Sequence, residues 1–144
     1  MKHLSRSAIV ERSADALYAL VEDIESYPDF LPWCAAAKVL ERTPGRTVAT
    51  LTLGIKGIRQ PFTTENLNMP SRSIEMRLLE GPFRRFAATW RFTPLAARAS
   101  KIEFSLEYEF SNRIVARALE PAFNRIADST VEAFTRRAES RQDA

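Results

Sequence analysis

Catalysis by a hydrolytic triad, a metal or an activated thiol needs histidines, sulfurs or clustered carboxylates, and this chain is poor in all three. It has one histidine, His3, close to the N-terminus, and one cysteine, Cys34. A Ser-His-Asp or Cys-His arrangement is therefore not expected, and Cys34 reads as a small buried hydrophobe. No His, Cys or acidic residues stand at metal-ligand spacing. The four glycines form no phosphate-binding loop. Glu65 and Glu75 fall within strand-like runs, and a lone carboxylate turned into a dry interior can act as a base. Outward, solvated glutamates are the simpler expectation for both. The chain is accordingly read as having no catalytic residue, no metal and no cofactor, and as not an enzyme.

What the sequence does concentrate is apolar surface, in an unusual place. Residues 26–34 read SYPDFLPWC. Tyr27, Phe30, Leu31 and Trp33 surround two prolines, which forbid a long helix or a central strand. Connections normally run over the surface and are polar. So greasy a connection serves either as the wall of an apolar cavity or as a plug for the end of the core. The prolines favour a rigid wall over a mobile lid.

The elements that must position this segment follow from periodicity. Residues 3–11 (HLSRSAIVE) predict a first strand. Ser13 predicts a helix N-cap, with Asp15 favourably placed against the helix dipole. Leu17, Leu20, Val21 and Ile24 then follow at amphipathic-helix spacing and lead into the quoted segment. Strand-like runs come next at 35–42, 46–57, 59–69 and 72–80, with a turn at Pro44-Gly45. In FRRFAATWRFT (83–93), Phe86, Ala88, Trp90 and Phe92 share one face. In SKIEFSLEYEF (100–110), Ile102, Phe104, Leu106, Tyr108 and Phe110 alternate with polar residues. Period-2 alternation means a sheet with one wet face and one dry, aromatic face. The short turns predict an antiparallel meander.

One long helix is predicted from 113 to 140. Its apolar stripe runs through Val115, Leu119, Ala122, Phe123, Ile126, Ala127, Thr130, Val131, Phe134 and Ala138. Pro121 interrupts the hydrogen bonding, so a kink or two helical pieces are expected. A curved sheet with one dry face and a long helix with one dry face satisfy each other if the helix lies along the concave side.

Composition bounds the setting. A chain of 144 residues, 45% hydrophobic, suits a single domain over 1–144. No apolar run approaches the roughly 18 residues of a membrane helix. The first residues, MKHLSRSAIVERS, do not read as a secretory signal, and a lone cysteine fits a reducing cytosol. The formal net charge is +3, with 17 Arg against 4 Lys. That Arg preference suits phosphate recognition, although genome composition produces the same count. The basic groups that an RNA surface would use are Arg84-Arg85 and, at the helix end, Arg136-Arg137 with Arg141.

YPDFLPWC (27–34), GPFRRFAATWRFTPL (81–95) and a closing helix with VEAFTRRA (131–138) occur in an order that resembles one family. It is the bacterial coenzyme Q-binding family of START-like proteins, within the polyketide cyclase superfamily, which also contains RatA-type ribosome-association toxins. The resemblance implies an α+β helix-grip fold. In it, a curved antiparallel sheet of about seven strands wraps round a long C-terminal helix, with two short helices after the first strand. It further implies a cavity for ubiquinone or another isoprenoid lipid, supporting respiratory electron transport. The residues expected at that cavity are Tyr27, Phe30, Leu31 and Trp33; Phe86, Trp90, Phe92, Phe104 and Tyr108 on the sheet; and Phe123, Ile126 and Val131 on the helix. The alternative it implies is a toxin that binds the large ribosomal subunit and blocks subunit association. The setting implied is cytoplasmic, with peripheral contact at the inner membrane, and DNA is not an expected partner. A cyclase-like activity on this fold would rest on Glu65 or Glu75. Two departures stand out: Thr130, where relatives often carry Met, and Pro121.

Overall fold

The computed structural model describes residues 2–140. Its order is β1 (Lys2–Val10), α1 (Ala14–Glu22), a 3-10 helix (Ile24–Asp29), then β2 (Cys34–Thr43), β3 (Arg46–Ile55), β4 (Ile58–Met69), β5 (Ser73–Glu80), β6 (Phe83–Ala96), β7 (Ala99–Phe110) and α2 (Arg113–Ser140). Seven strands form one antiparallel sheet in the order β1-β7-β6-β5-β4-β3-β2. The meander from β2 to β7 is built from consecutive neighbours, and β1 closes its far edge against β7.

Local sequence chemistry explains the connections. Ser13 caps α1, its hydroxyl accepting the Ala16 N–H at 3.1 Å. Lys56 and Gly57 both have positive φ (51° and 79°), which makes the β3–β4 link a two-residue hairpin of the type that matches strand twist. β-Bulges interrupt β2, β5 and β6. Each bends its strand and increases the local twist, and together they let the sheet curl.

α2 lies across the concave face, packed mainly on β1, β7 and α1. It runs through Pro121 as one helix of 28 residues, so the expected division into two pieces does not occur. Pro121 and Arg117 both lie on the exposed side, where water can satisfy the carbonyl that the proline leaves open. The buried stripe is the predicted one with Ala133 added; Val115 and Ala122 are half-buried. One contiguous core joins α1, the 3-10 helix, the sheet and α2. Among the described residues no helix is long and apolar enough to cross a membrane.

On the convex face, Glu65 bridges two neighbouring strands. It accepts from Arg46 Nε at 2.6 Å and also pairs with Arg77. The two guanidinium groups hold its carboxyl below the usual range, mainly through the hydrogen bond from Arg46. A lowered folded-state pKa contributes stability above the unfolded value, lost as pH falls through the folded one. Glu65→Gln is therefore expected to lower stability at pH 7 and to flatten the acid limb below about pH 4.3. Urea midpoints measured against pH check this; parallel curves for the two proteins would contradict it.

Candidate functional site

The sheet and α2 do not close on each other completely. Between them lies an apolar cavity of about 50 Å³. Tyr27, Leu31 and Trp33 from the proline-bracketed segment form one wall. Phe86 and Trp90 of β6, Phe104 of β7, and Phe123 and Ile126 of α2 also line it.

The remaining four expected residues lie elsewhere. Phe30 packs outside the cavity, with its ring 5.0 Å from that of Phe134 and the Arg137 guanidinium 4.9 Å from its centroid. Phe92 is turned toward α1, edge-on to Tyr18 at 5.8 Å. Tyr108 is fully buried beyond the cavity, 4.6 Å from Phe123, and reaches toward the N-terminus of α2. Val131 is buried on the flank of α2 that faces Arg6 and Ala8 of β1. For Phe92 and Tyr108 the dry face was read correctly but the position along it was not, and for Val131 the rotation of the helix decides, because neither strand stagger nor helix rotation is visible in one chain's periodicity.

Other lining residues were not selected from the sequence. Leu106 belongs to the alternating face recognised in 100–110, and Leu51 and Leu53 alternate within the strand-like run 46–57, so all three carried a signal. Phe134 stood on the predicted helix stripe, and its ring contacts Tyr27, Phe30 and Trp90 at 5.0–5.5 Å. Phe62 and Met76 had no comparable signal, since their inward orientation follows only from the β4–β5 register.

The cavity's polar groups are already engaged. Trp33 Nε1 donates to Thr130 Oγ1 at 2.9 Å, which explains why the stripe carries a threonine there. The Tyr27 hydroxyl donates to the Val21 carbonyl, and burial raises that phenol's pKa, keeping it a neutral donor. Glu65 is on the convex face and Glu75 is exposed, so neither supplies an interior base. Among the described residues no group of three or more His, Cys, Asp or Glu is placed to hold a metal. Cys34 is buried, and desolvation pushes its thiol up to about 11.

The expected basic groups divide. Arg84 pairs with Glu109 at 3.2 Å, and Arg85 is exposed. At the helix end Arg137 is engaged with Phe30, Arg136 is exposed, and Arg141 lies outside the described residues.

A curved antiparallel sheet gripping one long C-terminal helix, with an apolar gap between them, is the START-like helix-grip architecture. The chain belongs to the family described as polyketide cyclase / dehydrase and lipid transport, which residues 10–135 match. It is 43% identical over 138 residues to the ribosome association toxin RatA of Escherichia coli, covering 96% of this chain and 87% of that one. The RatA of Vibrio cholerae is 44% identical, with 96% of both chains covered. A mitochondrial coenzyme Q-binding protein homologue of Xenopus laevis is 27% identical, over 93% of this chain and 57% of its own. Among solved structures, the ZhuI aromatase/cyclase of a Streptomyces species superposes with a TM-score of 0.86 at 21% identity. That match covers 97% of this chain and 94% of the other, and it speaks for the fold alone.

Two outcomes follow from the site. Thr130→Val strands the Trp33 N–H and should cost about 1–3 kcal/mol of stability, whereas Thr130→Ser should stay near wild type. Equal urea midpoints for wild type and Thr130→Val would show that the bond carries nothing. The raised thiol pKa lowers the thiolate fraction of Cys34 at neutral pH by about 100-fold. Native protein should therefore be alkylated at least that much more slowly than unfolded protein; comparable rates would contradict the burial.

Proposed function

We propose that this protein is a non-catalytic ribosome-association factor of the cytoplasm, binding the large ribosomal subunit and hindering subunit joining. The observation that carries the reading is its 43–44% identity, along 96% of the chain, to proteins named ribosome association toxins. The geometry favours it too. A cavity of about 50 Å³ is far below the roughly 300–1,000 Å³ of ordinary ligand pockets, and its polar groups are bonded to the protein itself. A prenylated quinone fits only if the cavity enlarges and its lining side chains move.

A second reading, binding of ubiquinone or a related isoprenoid lipid at the inner membrane in support of respiration, has its own support. The gap is lined almost wholly by apolar side chains, and the Xenopus laevis relative is named for coenzyme Q. Each buried CH₂ would contribute about 0.8 kcal/mol once the cavity opened. Sedimentation separates the two. The ribosome reading expects purified protein to co-sediment with large subunits at low salt and to reduce assembled ribosomes when both subunits are mixed. No co-sedimentation, together with a stoichiometric prenylated quinone in an organic extract of the native protein, would replace it with the lipid reading.

A further inference from the structure

The exposed side of α2 changes character along its length. In the first half Arg113, Arg117 and Arg125 are exposed, and none is ion-paired among the described residues. In the second half Asp128, Glu132 and Glu139 alternate with Arg136. The arginines of the first half are badly placed for the helix itself. A helix N-terminus carries partial positive charge and favours acids, yet the first turn of α2 has none. Asn112 caps it, taking the Val115 N–H at 2.8 Å through its side chain and the Ala116 N–H through its carbonyl. The N–H groups of Arg113 and Ile114 are left as the open donors that every helix start presents.

Beside this end is a groove of about 390 Å³ bordered by Lys2, Arg84 and Arg113. Among the described residues Lys2 and Arg84 hold ion pairs at the surface, a long one of 3.6 Å to Glu120 and a hydrogen-bonded one of 3.2 Å to Glu109. Those two carboxylates also border the groove, so an incoming anion competes with them for the same cations. Tyr108 lines the groove as well. It is fully buried, and among the described residues its hydroxyl has no hydrogen-bond partner, which is uncommon for an interior donor. Burial and the charge of Glu120 raise its pKa, so it remains a protonated donor. A shallower depression along Arg117, Pro121 and Asn124 continues from the groove through Ala116 and Glu120. Unpaired cations, an uncompensated helix start and a spare buried donor thus converge on one strip. From Arg113 to Arg125 it is about 18 Å long, at 1.5 Å per residue.

We propose that this strip, the outer face of residues 113–125 with Lys2, Arg84 and Tyr108 beside the helix start, grips the sugar–phosphate backbone of ribosomal RNA. The guanidinium fork matches phosphate oxygens in pairs. A row of cations spaced along an open surface suits a polyanion better than a single small anion. Ile114, 82% exposed, and Pro121 give apolar contact between the charges. This inference rests on the ribosome reading and names the surface and chemistry by which it works.

The test titrates the protein with purified large subunits and with protein-free RNA from those subunits, at several salt concentrations. Wild type should bind both, with log affinity falling linearly in log salt at about 0.7–0.9 per phosphate contact. The double variant Arg113→Glu/Arg117→Glu should bind about 100-fold more weakly with a shallower salt slope. Arg136→Glu, at the other end of the helix, should stay within about three-fold of wild type. Both sites are exposed and an acid at 113 suits the helix dipole, so the double variant should stay folded, and its melting curve separates lost binding from unfolding. Tyr108→Phe should weaken RNA binding about five-fold; unchanged binding overturns the donor role of its hydroxyl. If the double variant binds subunits like wild type, the strip is overturned while the ribosome reading stands. If wild type binds subunits but not free RNA, with no salt slope, the partner is a ribosomal protein and the RNA assignment is overturned. If wild type binds neither, both fall together.

Discussion

A sheet this strongly curved has a dry concave face wider than one helix can cover, and the remainder has to be filled by side chains. α2 supplies the spine, and the rings do the filling. Phe134 sits in edge contact with Tyr27, Phe30 and Trp90, while Phe123 packs at tilted and edge-on angles among Phe83, Tyr108 and Phe110. Edge-to-face pairs add about 0.5–1.5 kcal/mol each beyond burial, so the filling is directional as well as greasy. The proline-bracketed segment exists for this purpose. Its 3-10 helix and the residues after it carry Tyr27, Leu31 and Trp33 inward, between the sheet and α2.

Closing the interior this way has a consequence for function. The gap that remains is small and dry, and its hydroxyl and indole groups are bonded internally. Enlarging it for a large ligand means displacing lining side chains that hold one another, the Trp33–Thr130 pair and the Phe134 ring cluster among them. The outer surface carries no such constraint. There the first half of α2 keeps arginines where helix electrostatics would prefer acids, a local conflict of the kind found at functional sites. The same helix therefore has two jobs on two faces, an apolar one that completes the core and a cationic one left available.

Much of this was legible in the sequence. The alternation in 100–110, the Ser13 cap and the 113–140 stripe each rest on local chemistry, and each element formed where that chemistry put it. The cavity wall was legible as a set of faces but not as a set of residues. Phe92 and Tyr108 share the dry face with Trp90 and Phe104, yet stagger places them under α1 and under the start of α2. Thr130 looked like a departure because its partner, Trp33, is 97 residues away in sequence. The expected basic groups were Arg84-Arg85 and the helix C-terminal arginines, the latter because cations suit that end of a helix. Which cations remain free is a tertiary matter: Arg137 lies over Phe30, while Arg113 and Arg117 have no ion-pair partner among the described residues.

The central claim is that the working surface is the outside of α2 and not the interior it closes. Hydrogen–deuterium exchange of the protein with and without large ribosomal subunits tests it most directly. New protection confined to about residues 111–125 and the start of β6, with the 26–34 segment unchanged, is the predicted result. Protection or opening centred on residues 26–34, with the amides of Arg113 and Ile114 exchanging as in the free protein, would contradict it.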